Sequence, residues 1–130
     1  YNATENSSLV LNKNQINSNI KDKIFELVDA RSRERFLGKQ PEFRKELKSG
    51  NIEGSKNLPF TELINKSDKT FKKKNELTDI FVKHKVDINK NLAFTCGSGI
   101  TACVLGLANS IISGKKPIIY DGSWAEYGLK

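Results

Sequence analysis

Cys96 heads the run Cys96-Gly97-Ser98-Gly99-Ile100-Thr101-Ala102-Cys103. Gly97 and Gly99 permit backbone dihedrals closed to other residues. With Ser98, Ile100 and Thr101 they can turn a row of N–H groups over the sulfur, where a helix begins. Such a nest at a helix N-terminus concentrates positive potential and favours the thiolate, the nucleophilic form of cysteine. The same donors stabilise a persulfide or an anion arriving to be attacked. This suits transfer of a sulfane sulfur: attack, a covalent persulfide on Cys96, then release to a second nucleophile. A structural role for Cys96, as a small apolar residue beside a turn, is outweighed by the strand–Cys–Gly–x–Gly–helix context. Cys103 either packs in the core or serves as a redox partner for Cys96. Phosphate-transferring cysteine loops close with an arginine; Thr101, Ala102 and Cys103 stand there instead, which argues against phosphoryl transfer.

The elements that would position this loop follow from apolar spacing. Leu92 to Thr95 reads as a buried strand running into Cys96, and Thr101 to Ser113 as a helix stopped by Gly114. Upstream, Asn12 to Lys23 is helix-like, with Ile16 and Ile20 four apart. Ile24 to Val28 reads as a strand ending at Asp29, and Glu76 to Lys85 as a helix with Leu77, Ile80 and Phe81 on one face. Pro117 to Tyr120 is a further strand before Asp121, and short helices are expected at 32–37 and 60–65. Apolar strands alternating with helices predict an α/β domain, a parallel sheet covered on both faces. Ligands bind such sheets beyond the carboxyl ends of the strands, where Asp29, Cys96 and Asp121 fall.

The 130 residues suffice for one domain: a linker over 1–8 and a folded unit over 9–130. The first residue is Tyr1, which reads as a piece of a longer protein. The formal charge of +7 comes from dispersed lysines without interleaved aromatics, predicting small anionic substrates and not nucleic acid. No apolar stretch suits a membrane span. Two cysteines and one histidine give neither a disulfide framework nor a zinc site, so no metal is expected and the setting is reducing: the cytoplasm, with the mitochondrion as the alternative.

The Cys96 to Cys103 run resembles the active loop of the 3-mercaptopyruvate sulfurtransferases, in their C-terminal rhodanese domain. Further matching stretches are Asp29-Ala30-Arg31-Ser32, Arg35-Phe36, Asn57-Leu58-Pro59-Phe60-Thr61 and Tyr120-Asp121-Gly122-Ser123-Trp124. The resemblance implies a rhodanese-like fold, a central, mostly parallel sheet with helices on both faces, and the catalytic half of a tandem protein. It implies a persulfide on Cys96, formed from 3-mercaptopyruvate without a cofactor and passed to cyanide or a thiol such as thioredoxin. Arg35 and Arg44 would hold the donor's carboxylate and carbonyl, a task that suits guanidinium forks. Gly97, Gly99, Ile100 and Thr101 would line the substrate site. Ser98 would help proton transfer or merely bond the loop backbone, and an N-terminal rhodanese domain would supply further partners. Relatives preferring thiosulfate carry basic residues after the cysteine, where Gly97 and Ser98 stand here. Two departures are Asn51-Ile52-Glu53-Gly54 for the usual His-Ile-Pro-Gly, which alters a turn, and Glu34, a carboxylate placed to draw Arg35 away. His84 is expected to face solvent, Asp29 to organise loops, and Trp124 to be a pocket wall or a core anchor.

Overall fold

The computed structural model describes residues 1–130. Five strands form one sheet in the order β1-β5-β4-β2-β3, every pair parallel: β1 (Val10–Leu11), β2 (Glu26–Asp29), β3 (Lys56–Asn57), β4 (Leu92–Thr95) and β5 (Ile119–Tyr120). The register sets Asp29 beside Thr95 and Asn57, so the carboxyl ends of β2, β3 and β4 form one level edge. Cys96 follows directly.

Side-chain alternation in the central strands divides the core in two. Val28, Leu92 and Phe94 face one side, where Leu77 and Phe81 of α3 (Lys74–Lys83) and Leu105 and Ala108 of α4 (Ala102–Ser113) cover them. Leu27 and Ala93 face the other, under Ile16 of α1 (Lys13–Asp22), Ile52 and Trp124 of α5 (Ser123–Tyr127). Burying each such large side chain contributes about 1.5–3 kcal/mol. Gly106 lets α4 lie close on the sheet: a Cβ there would stand 2.8 Å from Pro117 Cβ.

Local chemistry explains the boundaries. Asn12 caps α1 in a reciprocal pair with Gln15, so the helix starts one residue later than its apolar spacing suggests. Asn19 then clasps the backbone of Phe25, accepting its N–H at 3.0 Å and donating to its carbonyl at 2.8 Å. That clasp delays β2 to Glu26 and leaves Ile24 exposed, not in the strand as expected. The helix expected at 76–85 runs from Lys74 to Lys83, and α2 is the single turn Arg33–Phe36 capped by Ser32. The segment expected as a helix at 60–65 is a 3-10 turn, Phe60–Leu63. A 3-10 turn, Ser7–Leu9, already organises the end of the stretch read as linker. The Asn51-Ile52-Glu53-Gly54 turn closes without a proline, with the Ser55 N–H donating to the Ile52 carbonyl at 3.1 Å.

Candidate active site

The Cys96 loop is fastened by backbone bonds. The Trp124 N–H donates to the Cys96 carbonyl at 2.9 Å and the Ala125 N–H to the Gly97 carbonyl at 2.8 Å. Ser123, fully buried and left-handed at φ +48°, accepts from the Cys96 N–H at 3.1 Å and from Thr95 Oγ1 at 3.2 Å. Its own hydroxyl donates to the Tyr120 carbonyl at 2.8 Å. One side chain thereby ties the ends of β4 and β5 together.

Cys96 is buried, and its Sγ accepts the Gly99 N–H at 3.0 Å. Gly99 sits at φ +89°, and a Cβ there would stand 2.8 Å from the Asp121 carbonyl oxygen, so no other residue fits this turn. The N–H groups of Gly97, Ser98, Ile100, Thr101 and Ala102 have no acceptor in the protein; pairing resumes with Cys103, to the Ile100 carbonyl. Of the expected row of donors, one reaches the sulfur and the rest lie open at the start of α4.

Across from the loop lies a chain of alternating charges. Arg31 grips Asp29 through Nε and Nη2 (2.8–3.2 Å) and donates to the Gly50 carbonyl at 2.9 Å. Its guanidinium lies 4.6 Å above the Trp124 ring. Glu42 bridges onward, accepting from Arg31 Nη1 at 2.8 Å through one oxygen and from Arg35 Nη2 at 2.5 Å through the other. The Arg35 guanidinium stacks 4.8 Å from the Phe43 ring centroid. Arg35 Nη2 comes within 3.1 Å of where a Gly97 Cβ would be.

Between loop and charge chain opens a cleft of about 340 Å³, lined by Arg35, Arg44, Gly97, Ser98, Ile100 and Thr101 among others. Six of the eight residues singled out from sequence thus share one cleft; Cys96 and Gly99 are buried and do not line it. Arg44 is exposed and unpaired. Glu34 forms no ion pair; the partner of Arg35 is Glu42, which leaves the guanidinium at the cleft.

Two placements correct the sequence reading, and a third decides between its alternatives. Cys103 is exposed, not in the core, with its thiol donating to the Gly99 carbonyl at 3.5 Å. His84 does not face solvent freely: Nδ1 meets the Asn57 carbonyl at 3.0 Å and Nε2 meets Glu62 Oε2 at 2.7 Å. Trp124 is a core anchor, 1% exposed, with its indole N–H on the Lys48 carbonyl. Ser123, Arg31 and Glu42 went unassigned from sequence. Asp29 and Arg31, two apart after an apolar strand, were a usable signal for a buried pair; Glu42 offered none without its contacts. No three His, Cys, Asp or Glu side chains gather to hold a metal ion, and no helix is long and apolar enough to cross a membrane.

Comparison with known proteins follows the same lines. The family model for the rhodanese-like domain matches residues 12–130. The chain is 40% identical over 124 residues to the 3-mercaptopyruvate sulfurtransferase of Rattus norvegicus, covering 95% of this chain and 41% of the relative. It is 41% identical over 128 residues to the thiosulfate sulfurtransferase of Bos taurus, covering 98% and 43%. Among solved structures, SseA from Escherichia coli, described as a 3-mercaptopyruvate sulfotransferase, superposes with a TM-score of 0.78 at 31% identity, covering 95% of this chain and 45% of that one. The Tum1 protein from Saccharomyces cerevisiae gives 0.81 at 27% identity, covering 91% and 42%. The chain spans less than half the length of these relatives.

Proposed function

The chain belongs to the rhodanese family, and on that premise we propose that it is the cysteine-bearing half of a sulfurtransferase whose donor is 3-mercaptopyruvate. The observation that carries this reading is the pairing of a buried Cys96, its Sγ on the Gly99 N–H, with a cleft edged by Arg35 and Arg44. The two arginines hold the donor's carboxylate and 2-oxo group while the Cys96 thiolate attacks its sulfur. An S–S bond forms and the C–S bond breaks. The electron pair passes to carbon, which takes up the donor's thiol proton, relayed by Ser98, and pyruvate leaves. The open N–H groups of Gly97, Ile100 and Thr101 receive the negative charge of the persulfide. A thiolate acceptor such as thioredoxin, or cyanide, then attacks the outer sulfur and Cys96 leaves as thiolate.

Residues 9–130 form the folded unit, and an N-terminal rhodanese domain of the same protein completes the cleft. The exposed apolar side chains of Ile100, in the loop before α4, and of Leu107 and Ile111 on α4 support such a neighbour. Two free thiols suit a reducing compartment, the cytoplasm, although one plant relative is named mitochondrial. Thiosulfate is the second donor to test, because relatives named for either donor match at similar identity.

Thiocyanate formation from cyanide, measured with each donor, tests the reading. Mercaptopyruvate is expected to be the faster donor, and Cys96→Ser to abolish turnover. Equal turnover by that variant removes the persulfide; faster reaction with thiosulfate overturns the donor. Activity in a longer protein but not in this chain would show the neighbouring domain completing the site.

A further inference from the structure

We propose that Glu42 fixes the posture and the net charge of Arg35, and thereby tunes the cleft for singly charged over doubly charged sulfur donors. The inference rests on the sulfurtransferase reading above. A guanidinium offers five N–H donors. Glu42 Oε2 occupies the Nε edge of Arg35, at 3.2 Å from Nε and 2.5 Å from Nη2. The two N–H groups of Nη1 and the second of Nη2 are left for a ligand, on the end of the guanidinium that approaches Gly97.

Glu42 is no loose counter-ion that a substrate displaces. Its side chain is 1% exposed, and its other oxygen is held by Arg31, itself locked on Asp29. The four side chains Asp29, Arg31, Glu42 and Arg35 sum to zero charge. Arg44 is then the one uncompensated cation lining the cleft. The start of α4 adds about half a positive charge. Set against the Cys96 thiolate, that supply leaves a mercaptopyruvate carboxylate nearly balanced and a thiosulfate dianion one full charge worse. In a site less polar than water, the unbalanced charge weighs heavily.

The test compares Glu42→Gln, which removes the charge and keeps the shape, with Glu42→Asp, which keeps the charge and shortens the reach. Pyruvate and sulfate serve as turnover-free probes, titrated by NMR at the loop amides at low ionic strength. Wild type is expected to bind pyruvate more tightly than sulfate. In Glu42→Gln the sulfate-to-pyruvate affinity ratio is expected to rise about tenfold or more, and the thiosulfate-to-mercaptopyruvate ratio of kcat/KM to rise with it. Glu42→Asp is expected to weaken both ligands and keep the ratio. The proposal is overturned if Glu42→Gln weakens both ligands alike, or if Glu42→Asp shifts the ratio as far. Wild type binding sulfate more tightly overturns it without any variant, should Glu42→Gln fail to fold. Because the affinities are read without turnover, a chain that selects anions as expected yet moves no sulfur refutes the enzymatic reading and not this one.

Discussion

The two walls of the cleft are held by different forces. On one side the Cys96 loop is fixed by backbone hydrogen bonds at the centre of the sheet, and the position of the sulfur follows from strand register. On the other side only one helical turn, α2, lies between Ala30 and Leu47, and side-chain ion pairs position Arg35. The Cys96 sulfur is thus placed by the fold and the charged side chains by one another. Geometry on the first wall tolerates almost no substitution. Charge on the second can be retuned residue by residue, provided the buried pairs stay complete.

Breaking the charged wall at its root has the largest expected effect. Arg31→Met leaves Asp29 and Glu42 buried without their shared cation, and a loss of about 3–5 kcal/mol is expected from urea unfolding. A loss below about 1 kcal/mol would mean that backbone and not charge holds this wall. Gly99→Ala tests the opposite wall and should cost about 1–3 kcal/mol through its left-handed φ and the Asp121 carbonyl. Its turnover should fall by at least about a hundredfold, because the sulfur loses its donor. Near-normal thiocyanate formation by this variant would show that the loop adapts.

The smallest effect concerns Cys103, in the first turn of α4 behind the Cys96 loop. Partial burial, then Cys96, then Asp121 push its ionisation above the ordinary thiol range. The folded protein therefore holds this proton more tightly than the unfolded chain. Stability should be level below that range and decline slightly as pH rises through it. Alkylation of Cys103, resolved from that of Cys96 by peptide mass spectrometry in the unaltered chain, should lag behind an unperturbed thiol at pH about 8. Equal rates would remove the perturbation.

The same contrast explains what the sequence made legible. The strand–loop–helix around Cys96 was readable because Leu92 to Thr95 is continuously apolar and the glycines follow at once. Strand β3 was not, since Lys56 and Asn57 become a strand only through pairing with Val28 and Asp29. Helix α5 has five residues, too few for a periodic signal. Arg35 was found by resemblance, but its posture was not, because Glu42 acts from 7 residues away and is itself held by Arg31, 11 residues before it. Local spacing places His84 on an open helix end; its partners Asn57 and Glu62 come from elsewhere in the chain.

Ser123 carries a consequence for how the site comes into being. The hydroxyl that anchors Cys96 belongs to a residue 27 positions later, and the Trp124 and Ala125 amides follow it. A growing chain emerges from the ribosome N-terminus first. Cys96 therefore emerges before its anchors do. During that interval the Cys96 loop lacks the bonds that Ser123, Trp124 and Ala125 give it. The loop is complete only once the stretch from Tyr120 to Ala125 has joined it.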